Sequence, residues 1–251
     1  MNIGQIIRFA QSLQESLESV NRVYEQLLAQ FELERPRERD FQRNGILITF
    51  DGHSGAGKDT QIALLNQHMR GTRIYDEYTI VELIQKENDP FRQISKYLWG
   101  HPEVQSPSDC SLLLLTVGRR YFVYHTILPL LENPRAVVLL NRSYLSHIAY
   151  HASSIVELPS LIALSDFDQR PDVAFILECD ADIAYSRVIS RSPKKGGMVY
   201  KNEKPDYIER VKGNFRGLAD LVNGLVFVDT SNRPELIAQE VSQKVEAYFQ
   251  Q

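Results

Sequence analysis

The stretch that most constrains this chain runs from Gly45 to Gln61, GILITFDGHSGAGKDTQ. A β-rich apolar run, Ile46 to Phe50, enters a glycine-dense turn, and a helix-forming segment, Gln61 to Met69, leaves it. Strand, loop and helix in that order are the setting in which Gly-x4-Gly-Lys reads as a phosphate-binding loop. Gly52, Gly55 and Gly57 let the backbone take positive φ and approach phosphate oxygens with no Cβ in the way. The N–H groups around His53, Ser54 and Ala56 then form an anion-binding concavity at a helix N-terminus, where the dipole also favours negative charge. Lys58 adds a mobile point charge for the β and γ phosphates of a bound nucleotide.

Composition narrows the class. The 251 residues suit one α/β domain with an appendage, long enough to bury about three-quarters of its unfolded surface. A net charge of −4 predicts no nucleic-acid partner. Basic residues gather locally instead, at Arg119-Arg120 and from Arg187 to Lys204. Cys110 and Cys179 form no CxxC, which leaves a reduced, cytoplasmic protein as the expectation. The longest apolar run, around Leu112 to Leu115, is far too short for a bilayer, so no membrane is expected as partner. The N-terminus has no charged start followed by an apolar core, so no signal peptide is expected.

Ile3, Ile6, Ala10, Leu13, Leu17, Val20, Tyr24, Leu27 and Phe31 alternate by three and four, a heptad spacing. Ile7, Phe9, Val23 and Leu28 widen that stripe, which fits a helix docked on a broad apolar surface. The surface is either its own domain or a partner subunit, as in a homodimer. Glu34 to Asn44, with Pro36, reads as a linker. The expected division is therefore residues 1–44 as N-terminal helix and linker, and 45–251 as the loop-bearing domain.

Beyond the loop helix, Thr72 to Tyr75 reads as a short strand followed by Asp76-Glu77, and Thr79 to Gln85 as helical. A long helix is expected from Ser108-Asp109 to about Glu132. Ala136 to Leu140, Val173 to Leu177 and Leu225 to Val228 are apolar strands, with helices from Tyr144, from Asp180, over Asp206 to Val222 and over Glu235 to Phe249. Apolar strands alternating with helices indicate an α/β, three-layer fold. It has a parallel sheet of about five strands, helices on both faces and an N-terminal helical extension. Ligands in such folds sit at the carboxyl ends of strands, here Asp51, Asp76-Glu77, Asn141-Arg142 and Glu178.

In that order and spacing, residues 45–250 resemble the thymidylate kinase-like nucleoside monophosphate kinases, a P-loop family. The Gly57-Lys58-Asp59-Thr60-Gln61 ending is similar to theirs. So are Gly118-Arg119 with Ile127-Leu128-Pro129, Asn141-Arg142-Ser143 followed by Ser146, Ala149 and Tyr150, Pro171-Asp172, and Tyr207-Ile208-Glu209-Arg210-Val211. The resemblance implies ATP- and Mg²⁺-dependent phosphoryl transfer to a small-molecule nucleotide acceptor, most plausibly dTMP. It implies that the loop from Gly52 to Thr60 holds ATP, with the Thr60 hydroxyl as the metal ligand. Arg142 and Arg119 match acceptor arginines, and Arg187 and Arg191 match the start of a lid over about 187–204. Asp51, Glu77, Tyr121 and Tyr150 are the further substrate-binding residues. Convergent arginines are what phosphoryl transfer requires, since its catalysis is mostly positioning and charge neutralisation.

Three departures stand out. Asn141 replaces the family's acid before the arginine, Ser54 replaces an acid inside the loop, and Tyr121 replaces a glutamine near the base. Asn141-Arg142-Ser143 is also similar to an element of deoxynucleoside kinases, in which Asp76 or Glu77 would be the general base for a 5′-hydroxyl. A third alternative, of another class, is a nucleotide-binding regulatory or assembly module with weak chemistry. His147 and His151 at i,i+4 favour helix packing over a metal site, and Trp99, Tyr121 and Tyr124 favour core over base stacking.

Overall fold

The computed structural model describes residues 22, 24–26, 28–29, 42–83, 109–191, 199 and 203–250. The chain divides into two compact units, one of residues 44–84, 133–161 and 170–251, the other of 1–43, 85–132 and 162–169.

The first unit is a parallel sheet. Its strands are β1 (Ile46–Gly52), β2 (Thr79–Leu83), β3 (Ala136–Asn141), β4 (Val173–Glu178) and β5 (Leu225–Asp229), in the order β2-β3-β1-β4-β5. Every neighbouring pair is parallel, with Phe50 beside Asn141 on one side and beside Phe175 on the other. The alternation of side chains along each strand sorts the core into two faces. Ile48, Phe50, Val137, Leu139, Phe175 and Leu177 pack with Ile62, Leu65 and Met69 of helix α1 (Lys58–Met69). A late helix, Pro234–Phe249, closes the same face with Ile237, Val241 and Val245. The rings of Phe50 and Phe175 stack at 5.2 Å. The opposite face of β1 meets helices Tyr144–His151 and Pro205–Ala219. Because both faces are covered, the strands carry almost unbroken apolar runs.

One segment differs from the expectation. Thr72 to Tyr75 is not a strand: Arg73–Glu77 forms a short helix, α2, and the strand is Thr79–Leu83, where a helix was expected. The Thr72 hydroxyl donates to the Met69 carbonyl at 2.8 Å, tying this turn to the end of α1. The β-branched triplet Thr79-Ile80-Val81 suits an edge strand that is only half-buried, so no clean apolar pattern marks it. Consequently Asp76 and Glu77 precede β2 and lie at the amino edge of the sheet, not at a carboxyl end.

In the second unit, α3 (Asp109–Phe122) passes through a π-helical turn, Val123–Ile127, into α4 (Leu128–Leu131). Pro129 has no N–H for the His125 carbonyl, and the wider turn accommodates its ring. Tyr24 and Leu28 are buried, and the Arg120 guanidinium lies over the Tyr24 ring at 5.0 Å. Burial pushes the Tyr24 phenol up to about 12, against the pull of Arg120. The rest of the N-terminal stripe and linker, Trp99 and most of the expected lid lie outside the described residues. Among the described residues, no helix is long and apolar enough to cross a membrane. The remaining helices are α5 (Tyr144–His151), α6 (Leu158–Leu164), α7 (Ala181–Arg191), α8 (Pro205–Ala219) and α9 (Pro234–Phe249).

Candidate functional site

The turn between β1 and α1 has its glycines where the backbone demands them. Gly52 and Gly55 sit at φ 133° and 81°, in conformations that side chains rarely adopt. A Cβ on Gly52 would be driven into the Leu177 carbonyl oxygen, and one on Gly55 into that of Ala184. The loop is thus wedged between its own strand, β4 and α7.

Inside it, the buried Lys58 ammonium donates to the carbonyls of Gly52 (3.0 Å) and His53 (2.7 Å). Burial pulls its pKa well below the usual lysine range, and the nearby charges of Arg142 and Arg191 pull the same way, against Asp59 and Asp51. The His53 ring is locked as one tautomer. Its Nδ1–H donates to the Ser54 carbonyl at 2.8 Å, and its Nε2 accepts the Cys179 N–H at 3.1 Å. Burial holds it down at about 4, so the ring is neutral. Arg187 braces the outside of the loop, donating to the Gly55 carbonyl (3.3 Å) and to the Thr230 carbonyl beyond β5 (2.8 Å).

Asp51, expected to touch substrate, is fully buried at the end of β1. Its carboxylate accepts the N–H and hydroxyl of Ser143 (2.8 and 2.7 Å) and those of Ser146 (3.1 and 2.6 Å). Ser143 in turn caps α5, accepting the Leu145 N–H. This clasp fastens the end of β3 to β1 and sets Arg142 between them at φ 72°, a strained backbone for a side-chain-bearing residue. The Arg142 N–H donates to the Phe50 carbonyl at 3.0 Å. Its guanidinium reaches the Gly52 carbonyl (3.4 Å) and the Tyr150 hydroxyl (3.2 Å), and lies 4.7 Å from the centre of the Tyr150 ring. Tyr150 also meets the Ser54 hydroxyl at 3.3 Å. Tyr207 of α8 donates to the Tyr150 carbonyl at 2.8 Å, so α8 backs this wall.

One departure from the family pattern, Asn141, reaches the loop. The Asn141 amide donates to the Asp59 carboxylate, joining the end of β3 to the first turn of α1. The amide oxygen of Asn141 is shut from solvent and has no hydrogen-bond partner among the described residues. Thr60 is the next residue along α1 and is exposed. Arg191 ends α7 and pairs with Glu203 at 3.1 Å, linking the two ends of the expected lid. The loop amides, Lys58 and this polar pair make a donor set that fits a nucleotide phosphate and its hydrated cation.

Within this unit the structure therefore brings together Lys58, Asp59, Asn141, Arg142, Tyr150 and Arg191. Glu77 is not with them; it is paired with Arg73 on exposed α2. Glu178, at the end of β4, is taken up by Arg216 at 3.0 Å. In the other unit, Arg119 is buried in a two-pronged pair with Asp168 (2.6 and 3.1 Å), and Tyr121 stacks on His125 at 4.1 Å. The rings of His147 and His151 lie 4.6 Å apart at a tilt of 50°, and His151 Nδ1 donates to the His147 carbonyl within the helix. Among the described residues no cluster of His, Cys, Asp or Glu could hold a metal without other ligands. The sequence placed Ser146 and Tyr207 in motifs but gave them no role at the site, and it pointed to neither Glu203 nor Asp168. Serine three residues after Ser143 was a legible signal, being the next turn of the same helix face.

Residues 50–241 match the family Thymidylate kinase. Over 218 residues the chain is 30% identical to the thymidylate kinase of Chlorobium limicola, covering 81% of this chain and 96% of that protein. It is 29% identical to the thymidylate kinase of Rhodopseudomonas palustris, over 80% of this chain and 88% of the relative. It is 27% identical to the probable thymidylate kinase of Methanocaldococcus jannaschii, over 79% and 94%. The family match runs through the loop and the Asn141-Arg142 strand end into the closing helix. The chain belongs to the thymidylate kinase family of nucleoside monophosphate kinases.

Proposed function

We propose that the protein transfers the γ-phosphoryl group of ATP to dTMP, giving ADP and dTDP. The observation that carries this reading is the meeting of Lys58 and Arg142 on one glycine loop, where both donate to the Gly52 carbonyl (3.0 and 3.4 Å). Two basic side chains drawn onto one such loop suit an anion of high charge, and a nucleotide phosphate chain supplies one.

In this reading the loop amides and Lys58 hold the donor's β and γ phosphates. Arg142, aimed by the Asp51 clasp and steadied on Tyr150, holds the acceptor's phosphate. A phosphate oxygen of dTMP attacks the γ-phosphorus while the bond to the β-phosphate oxygen breaks. That nucleophile is already an anion, so no strong base is needed. Arg191, at the end of α7, neutralises charge that develops on the transferring group. Magnesium, when bound, neutralises charge on the donor phosphates and holds them in one geometry. The Arg119 guanidinium is held in one plane by Asp168.

The deoxynucleoside alternative asked for Asp76 or Glu77 at a strand's carboxyl end, and both lie at the other edge of the sheet. The test is ADP release in the presence of ATP, Mg²⁺ and panels of nucleosides and nucleoside monophosphates. Turnover with dTMP is expected. Turnover only with thymidine, or ATP binding without turnover on any acceptor, overturns the reading.

A further inference from the structure

Backbone pairing ties the loop to the sheet only as far as Gly52, which sits beside Leu177 in the last register of β1 on β4. Just past the end of β4 a side chain takes over, and the N–H of the buried Cys179 donates to Nε2 of His53 at 3.1 Å. A backbone N–H can only donate, so Nε2 is the bare nitrogen of the ring and Nδ1 carries the proton. Nδ1 gives that proton to the Ser54 carbonyl at 2.8 Å. Burial keeps the ring neutral and so preserves the lone pair on Nε2. The two bonds differ in reach. The one to Ser54 joins adjacent residues and stays inside the loop, whereas the one to Cys179 spans 126 residues of sequence and fastens the loop to the sheet. The carbonyl of the same residue accepts the Lys58 ammonium at 2.7 Å. His53 therefore holds the loop's lysine through its backbone and the sheet through its ring.

We propose that His53 is a positioning residue for the donor nucleotide, its ring acting as a strut that holds the loop backbone, and Lys58 with it, against the end of β4. This rests on the reading of the loop as an ATP site. Both ring nitrogens are spent on backbone groups, so the ring acts on the nucleotide only through the amides and the lysine that it places. The loop meets the donor phosphates in the ground state and the transition state alike, so a loosened loop raises the KM for ATP more than it lowers kcat. Arg142, which holds the acceptor's phosphate in this reading, is aimed by the Asp51 clasp and not by His53. The KM for dTMP is therefore spared.

The experiment is steady-state kinetics of the full chain and three variants, with ATP and dTMP varied in turn, beside calorimetric titration with ADP and thermal melts. His53→Leu removes both bonds. His53→Asn keeps a donor for the Ser54 carbonyl but stops short of Cys179, and His53→Gln keeps an acceptor within reach of the Cys179 N–H. In the Leu and Asn variants the KM for ATP and the Kd for ADP are expected to rise about tenfold. Their kcat stays within about threefold and their KM for dTMP within about twofold. His53→Gln recovers most of the loss. Should His53→Leu not fold, the comparison of Asn with Gln decides. An unchanged KM for ATP in His53→Asn, equal rises for both substrates, or His53→Gln no better than His53→Asn overturns the proposal while leaving the ATP site intact. Absence of ADP binding by the unaltered chain overturns the ATP reading itself.

Discussion

At the scale of single residues, the loop works because several side chains are held in states that water would not favour. Lys58 is buried against two carbonyls, and burial together with the charge of Arg142 pulls its pKa well below the usual lysine range. Lys58→Ala should lower turnover by roughly two to three orders of magnitude. ADP release together with an unchanged circular-dichroism spectrum checks this. His53 gives a pH signature. Its folded pKa, about 4, is below the ordinary 6.5, so the folded chain prefers the neutral ring. That contribution is fully present above pH 6.5 and is lost as pH falls towards 4, by on the order of 3 kcal/mol across the window. Thermal melts from pH 7 to pH 4 should show a steeper acid loss in the unaltered chain than in His53→Gln; equal slopes would remove His53 from the account. Asp51 is bound on all sides by Ser143 and Ser146. Asp51→Ala leaves those N–H and hydroxyl donors buried without their acceptor and should cost roughly 3–5 kcal/mol of stability, read by denaturant titration.

At the scale of elements, the loop's shape depends on what it is wedged against. Gly55→Ala meets the α7 backbone as well as a positive φ, whereas Gly57 shares the positive φ but has open space around it. Gly55→Ala should cost about 3 kcal/mol and Gly57→Ala about 1 kcal/mol, compared by chemical denaturation. Strands β1, β3 and β4 were legible in the chain because each is buried on both faces and reads as an unbroken apolar run; β5 is a half-buried edge strand but keeps the apolar run LVFV. Strand β2 was not. It is a half-buried edge strand, TIVEL, whose mixed pattern fits a helix as well, and that error carried Glu77 to the wrong edge of the sheet. The loop, Arg142 and Tyr150 were legible because each follows a strand end or repeats along one helix. The partner of Arg119 was not, since nothing in local spacing connects residue 119 with Asp168. Arg119→Ala should destabilise by roughly 3–5 kcal/mol by stranding a buried carboxylate, and Asp168→Ala in the same background should restore part of it.

At the scale of the molecule, the sheet order places β1 at the point where connections diverge. From β1 the chain runs out through β2 and returns as β3 on one side, then crosses to β4 and β5 on the other. The carboxyl end of the strand where connections diverge is where doubly wound sheets bind ligands. The glycine loop, the Asp51 clasp, Arg142 and the Asp59–Asn141 pair all gather at that end. Family membership and geometry therefore meet at one place and one chemistry. Phosphorus NMR of the protein with ATP, Mg²⁺ and dTMP tests that chemistry directly. The account predicts that the γ-phosphate signal of ATP is replaced by the signals of ADP and dTDP in equal amounts. A γ-phosphate that stays on ATP, or passes only to water, in protein shown to bind ATP would contradict it.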